Sequence, residues 1–309
     1  MERSPWQRWG WLVRWLGTAA GIAYIAHVID FDAASSAFHR ISVPALVLAI
    51  TLVAANVVVG AMRWRVLLTA YGADTRPPFL RATKLYFISF FYNNYLPGAV
   101  AGDVVRGVVT REVFGDRGAT AGLAVVLVER ALGLFGVFLL LAIGLVSAGA
   151  GIDTGSLWVW CALGMAGSLA LVLALPFARR LAPILPGRVR SIAGRVPALS
   201  SVPAFGLAAV YSIATQVLVA LAGWVLLHAV EPSVGLGASL LIVPLAAATT
   251  FLPITVGGAG AREAVYITLG ASLFHMAKSD AVAASLALWL AHLVVGAIGG
   301  IVQLTARSR

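Results

Sequence analysis

Three short stretches place acids and bases beside helix-breaking residues. Asp103 and Arg106 follow Asn93, Asn94 and Pro97-Gly98. Glu129 and Arg130 are adjacent, and so are Arg262 and Glu263, the latter pair following Pro253 and Gly257-Gly258-Ala259-Gly260. Pro97 and Gly98 stop a helix and permit a turn. A half-helix restarting near Asp103 points its free N–H groups and positive dipole end into the gap. Arg106, one turn on, adds a cation. Such a place favours an anion, and phosphate is the natural candidate. The second stretch repeats the arrangement with Arg262. Arg106 and Arg262 are therefore expected to hold a phosphate, with Asp103 and Glu263 balancing or switching them. Asn93, Asn94, Gly102 and Gly258 complete the expected site. In the alternative reading Arg106 pairs with Asp103 or Glu263 and only neutralises the interior.

Asp103 and Arg106, three apart, can meet on one helix face. In the adjacent pairs, Glu129-Arg130 and Arg262-Glu263, the side chains diverge and need partners elsewhere. One option is cross-pairing between the stretches, such as Asp103 with Arg262, which would couple movement of a ligand to protons. The other is a static network, the preferred reading for Glu129 and Arg130. Glu129, Arg130, Pro97 and Pro253 are thus assigned structural or coupling roles. Asn93 and Asn94 either touch a headgroup or satisfy backbone groups freed at Pro97. Asn56, Gln216 and His292 read as interhelical hydrogen-bonding residues.

The elements that must carry these residues are membrane helices. Of 309 residues, 61% are hydrophobic and only 11% charged, with mean hydropathy +0.95. A soluble domain has about 45–50% apolar and 25% charged residues, and this surplus would leave large exposed apolar patches. An ordinary soluble enzyme, a disordered tail and a nucleic-acid-binding module are excluded. Six stretches have the roughly 20 apolar residues that a span requires, at about 10–29, 43–62, 119–147, 157–177, 204–229 and 281–305. Two more, 78–114 and 238–276, are broken at their middles by Pro, Gly and polar residues and read as re-entrant helical hairpins. The fold class is an all-α polytopic membrane protein with about six spans and two such hairpins.

Lys and Arg gather on the cytoplasmic side of a membrane protein. With the N-terminus inside, 18 of the 22 basic residues, Arg63 and Arg65 among them, fall on cytoplasmic segments. Asp30, Asp32, Asp153, Glu231 and Asp280 fall outside. The net charge of +10 is thereby explained without nucleic acid. A bacterial-type inner membrane with both termini cytoplasmic is expected. The basic, apolar N-terminus reads as a retained first span, with Trp6, Trp9, Trp11 and Trp15 as its aromatic belt. Residues 179–202 read as a broken interfacial linker. Cys161, the one cysteine, reads as inert packing. No metal-ligand spacing, phosphate loop, nucleophile elbow or dinucleotide fingerprint is present, so neither a cofactor nor enzymatic activity is expected.

The two broken stretches align without a gap. LPGAVAGDVVR (96–106) lies over LPITVGGAGAR (252–262), matching Leu, Pro, Val, Gly and Arg at an offset of 156. Repeat 1 is placed at 43–147 and repeat 2 at 204–305. In the assigned orientation the flanking spans run in opposite directions, which makes the repeat inverted, as in many transporters.

FFYNNYLPGAVAGDVVRG (90–107), VVLVERALGLFG (125–136) and LPITVGGAGAREA (252–264) resemble the flippase-like family of lysylphosphatidylglycerol synthase transmembrane domains. Two departures are mild: Ala101 stands where the family usually has a first Gly before Gly102-Asp103, and Glu129 where it more often has Asp. The resemblance implies a polytopic inner-membrane protein that moves a lipid, either an anionic phospholipid or a polyprenyl phosphate. The bifunctional members add a soluble synthase domain. Membrane segments fill this chain, so aminoacyl transfer is not expected. Stand-alone members accompany transferases of lipid-linked sugars, so an accessory subunit with a transferase partner is the alternative. A membrane transferase with Asp103 or Glu263 as base ranks third. A homodimer is compatible with each.

Overall fold

The computed structural model describes residues 16, 18–27, 30–96, 101–109, 111–147, 155–249 and 258–307. Pro97 and Pro253, the four tryptophans before residue 16, and Asp153 lie outside them. Every regular element among the described residues is helical, so the chain is an all-α, multi-pass membrane protein. The helices are α1 (18–27), α2 (Phe31–His39), α3 (Val43–Ala70), α4 (Phe79–Tyr95), α5 (Ala101–Val109), α6 (Gly118–Ser147), α7 (Gly155–Leu181), α8 (Gly187–Gly194), α9 (Val202–Val230), α10 (Leu236–Thr249), α11 (Ala261–Phe274) and α12 (Lys278–Arg307).

Five are long and apolar enough to cross a bilayer: α3, α6 with the 3-10 turn Arg111–Arg117 before it, α7, α9 and α12. Of the sixth expected span, 10–29, residues 16 and 18–27 are described, and 18–27 form α1. The starts are set by local chemistry. Ser42 Oγ accepts from Ala45 N–H (3.4 Å) ahead of Pro44, and Ser201 Oγ accepts from Ala204 N–H (3.3 Å) ahead of Pro203. A first-turn proline has no N–H to leave unpaired.

One correction matters for function. α3 runs to Ala70, not to 62. Its 28 residues rise about 42 Å, longer than a hydrocarbon core of about 30 Å. Arg63 is therefore inside a helix in the bundle, 8% exposed, and not on a loop.

α3 packs along α9, α12 along α4, and α6 against both α7 and α10, while α5 is held between α4 and α6. The α3–α9 core is built partly from small side chains, Ala49 and Ala222 among them, which let backbones approach where packing replaces the hydrophobic effect. Neither broken stretch contains a spanning helix: α4 has 17 residues, α5 nine, α10 and α11 fourteen each. α4 and α5 pack together, as do α10 and α11.

Contacts sort the helix ends into two sets. At one end Ser200 N–H donates to the Ala70 carbonyl (2.7 Å), Asp74 N–H to Val113 (2.9 Å) and Arg117 to Gly72 (2.7 Å). The start of α4 and the end of α5 share a shallow pocket there, with Arg76, Arg81, Val109 and Glu112 in its wall. At the other end Arg40 forms an ion pair with Asp280. Loop residues that hydropathy placed on one side of a membrane are thus physically gathered at one end of the bundle.

Candidate functional site

The interior charges form two clusters. The first joins five helices. Glu129 of α6 accepts from Arg63 of α3 through Nε (3.2 Å) and Nη2 (2.7 Å), and from the Tyr86 hydroxyl of α4 (2.7 Å). Its other oxygen lies 2.7 Å from Arg106 Nη2 on α5, an ion pair. Arg63 also donates to Tyr86 (3.0 Å) and to Thr215 of α9 (3.3 Å). The Arg106 guanidinium lies over the rings of Tyr86 (4.4 Å) and Trp64 (5.1 Å) and reaches Asp103 at 3.2 Å. Asp103 takes a second ion pair from Arg130. Glu129 and Arg130 do diverge. Successive residues on a helix point about 100° apart, which sends Glu129 into the interhelical core and Arg130 toward α5.

The start of α5 is held against α4 by close approach. Gly102 lies so near α4 that a Cβ would meet the Ser89 carbonyl oxygen at 1.9 Å. Ser89 Oγ donates to the Gly102 carbonyl (2.8 Å), and the Gly102 N–H donates to Asn93 Oδ1 (2.8 Å). Asn93 Nδ2 donates on to Asp103 (3.3 Å), whereas Asn94 bonds back to Phe90 (2.8 Å). The asparagines thus serve backbone and carboxylate groups, and Asn93 caps the half-helix end that was expected to face an anion.

The second cluster is smaller. Arg262 pairs with its neighbour Glu263 and donates to Ser285 of α12 (3.1 Å), with the Trp289 ring 5.8 Å away. The expectation that adjacent side chains diverge fails here. Glu263 curls back to accept the Gly260 N–H (2.8 Å), and the long Arg262 side chain follows it. The α11 N-terminus is thereby occupied by its own carboxylate, not left open for a ligand. Gly258 (φ 79°) and Gly260 (φ 85°) form the left-handed turn into it, and a Cβ on Gly260 would strike α1 at Gly21, 2.5 Å away. Cross-pairing of Asp103 with Arg262 does not occur; each arginine takes an acid on its own side.

Two adjoining chambers lie between the clusters. The inner, about 180 Å³, is walled by the first cluster; the outer, about 310 Å³, by Arg130, Arg262, Tyr266, Trp289 and His292 among others. They share Asn56, Phe90, Asn93, Arg130, Gln216 and Val219. Together they approach the size of a small-molecule site, about 300–1,000 Å³.

Exposure decides which arginines can meet a ligand. Only 2% of the Arg106 side chain is accessible, against 26% for Arg130 and 13% for Arg262. Arg106, expected as a phosphate ligand, is clamped between two acids and two rings. Arg130, assigned a structural role from sequence, faces both chambers. Arg106 and Arg262 are brought to one cavity system, but the arginine that shares a chamber with Arg262 is Arg130. Asn56 and Gln216, read as interhelical hydrogen-bonding residues, line the chambers instead. Sequence reasoning missed Arg63, Tyr86, Tyr266, Ser285 and Trp289. Spacing held a signal for one of them: Asn56 and Arg63 are seven apart and share a helix face.

Four arginines (63, 106, 130, 262) and three carboxylates (103, 129, 263) make the formal charge at this depth +1 among the described residues. The neighbouring segments 97–100 and 250–257 contain no ionisable side chain. Buried ionisable groups in a membrane protein are costly and mark function.

A family model described as the lysylphosphatidylglycerol synthase TM region matches residues 11–300. No curated protein matches the chain.

Proposed function

Because the chain belongs to the lysylphosphatidylglycerol synthase TM-region family, we propose that it moves the headgroup of a phosphate-bearing lipid across the membrane. The lipid is an anionic phospholipid or a polyprenyl phosphate. The observation that carries this is the pair Arg130 and Arg262 on one chamber inside the helix bundle.

A phosphodiester in hydrocarbon pays a desolvation cost of several kcal/mol at least. The seven ionisable groups of the two clusters, at a formal charge of +1, offset it, since the single negative charge of a phosphodiester brings the total to zero. Two guanidinium groups supply donors in the planar forks that suit phosphate oxygens. The short pairs α4–α5 and α10–α11 act as re-entrant hairpins, entered from opposite ends, and Asn93 of the first and Arg262 of the second line the same chamber. In this reading the end carrying Arg76, Arg81, Arg111 and Arg117 faces the cytoplasm. Arg63, Arg106 and Glu129 form the fixed floor, and Arg130 and Arg262 hold the phosphate.

The test is lipid movement in vesicles reconstituted with the purified chain, followed by quenching of a fluorescent acyl-labelled lipid from outside. A hydrogen bond to a charged group contributes about 1.5–3 kcal/mol. Arg130→Ala and Arg262→Ala should therefore each slow movement by about 10- to 100-fold. Movement that survives both substitutions refutes the site. Vesicles with native chain that move no phosphate-bearing lipid refute the function.

A further inference from the structure

We infer that the outer chamber selects an anionic lipid whose group beyond the phosphate bears hydroxyls and no positive charge, such as glycerol or a sugar. This rests on reading the chamber as a lipid-phosphate site.

The chamber's inventory leads there. Arg130 and Arg262 line it, and no carboxylate does among the described residues. Asp103 and Glu129 belong to the inner chamber, where arginines hold them, and Glu263 is engaged by Arg262, Ser285 and the Gly260 N–H. Segments 97–100 and 250–257 contain no acid that could change this. The remaining polar groups are neutral. The Tyr266 hydroxyl is buried, on a residue 1% exposed, and has no hydrogen-bond partner among the described residues. A buried hydroxyl without a partner is costly, so a ligand atom that completes it is stabilised. The amides of Asn56 and Gln216 also line the wall, and neither side chain bonds to another described residue. His292 commits Nδ1 to the Leu288 carbonyl (2.8 Å) and stacks on Phe90, which leaves Nε2 for the chamber. A hydroxyl both donates and accepts, as these groups require. An ammonium only donates, and two guanidinium groups would repel it.

Charge arithmetic agrees. With Glu263, the partner of Arg262, the charged groups of the two clusters sum to +1, which falls to zero with a phosphodiester bearing a neutral headgroup. A zwitterionic lipid leaves +1, and a lysylated phosphatidylglycerol +2.

The experiment measures binding and movement separately on the full chain. Native mass spectrometry titrates phosphatidylglycerol, a polyprenyl-phosphate sugar, phosphatidylmethanol and phosphatidylethanolamine. One of the first two should bind most tightly, and which one identifies glycerol or sugar. Phosphatidylethanolamine should bind at least about tenfold more weakly. Tyr266→Phe should lower affinity for the preferred hydroxylated lipid by about three- to tenfold and leave phosphatidylmethanol unchanged. Gln216→Glu, which introduces the missing acid, should raise the phosphatidylethanolamine preference by about tenfold or more. Equal binding of phosphatidylglycerol, the sugar lipid and phosphatidylethanolamine, or a Gln216→Glu variant with an unaltered preference, overturns the inference even if lipids move. Selective binding without movement leaves the inference standing and retires the transport reading.

Discussion

Glu129 is the acid on which the inner cluster turns, and its removal has a size that can be worked out. It receives five polar contacts: two from Arg63, one from Tyr86 and two from Arg106. Polar contacts between membrane helices contribute about 0.6 kcal/mol on average and about 1.7 at most, so five give about 3–9 kcal/mol. A second route is the cost of stranding a buried charge by deleting its partner, about 3–5 kcal/mol. Both put Glu129→Gln near 4 kcal/mol, on the order of a thousandfold in the folding equilibrium. The change also raises the cluster's formal charge from +1 to +2, counting Arg63, Arg106, Arg130, Asp103 and Glu129. The double substitution Arg63→Gln with Glu129→Gln returns that count to +1 and should be less destabilised than Glu129→Gln alone. Unfolding in mixed detergent micelles, read by tryptophan fluorescence, gives the four corners of the cycle. A Glu129→Gln loss under about 1 kcal/mol, or a double variant as unstable as the sum of the singles, would refute the network.

Further outcomes follow from the geometry. Gly102→Ala puts a methyl group 1.9 Å from the Ser89 oxygen and should cost at least the 1–3 kcal/mol or so typical of overpacking, seen in the same unfolding assay, with lipid movement lost as α5 is pushed from α4. Glu263→Gln keeps an oxygen for the Gly260 N–H but raises the buried formal charge from +1 to +2; an anionic lipid should then bind about tenfold more tightly and leave more slowly, a split visible by comparing titration with transport. Single cysteines at Ser200 and Ser233, placed in a Cys161→Ala background, should label from opposite sides of intact cells, with Ser233 reached from outside; labelling of both from one side would contradict the orientation.

Much of the fold was legible because hydrophobic length is a strong signal in bilayers. The spans at 119–147, 204–229 and 281–305 agree with α6, α9 and α12 to within a few residues. α3 was cut short because Arg63 looked like the end of a span. Nothing local shows that its charge is met by Glu129, 66 residues away on another helix. The same limit governs the site. Asp103, Arg106, Glu129, Arg130, Arg262 and Glu263 all announce themselves as ionisable groups in apolar surroundings. Which of them faces a chamber depends on helix rotation and on neighbours from other helices, and sequence spacing holds neither. Tyr266 and Trp289 carried no signal, because aromatic residues are ordinary in spans.

The two clusters differ in how easily a cation can leave its acid, and that difference assigns their roles. Asp103 is held by Arg106 as well as Arg130. If Arg130 turns to a phosphate, Asp103 keeps a compensating charge and the core stays neutralised. Glu263 has no second arginine among the described residues, but it keeps the Gly260 N–H and the Ser285 hydroxyl, and the positive end of α11 favours its charge. Arg262 can therefore also turn without stranding an acid. Arg106 has no such freedom, since its guanidinium is enclosed by Tyr86, Trp64, Glu129 and Asp103. Arg63 is bound to Glu129 and to hydroxyls on α4 and α9. A membrane protein that must receive an anion and release it needs cations of both kinds. Arginines that cannot move keep the surrounding helices in register while the charge inside changes. In the proposed function, arginines with a shared or self-sufficient acid exchange that acid for a phosphate.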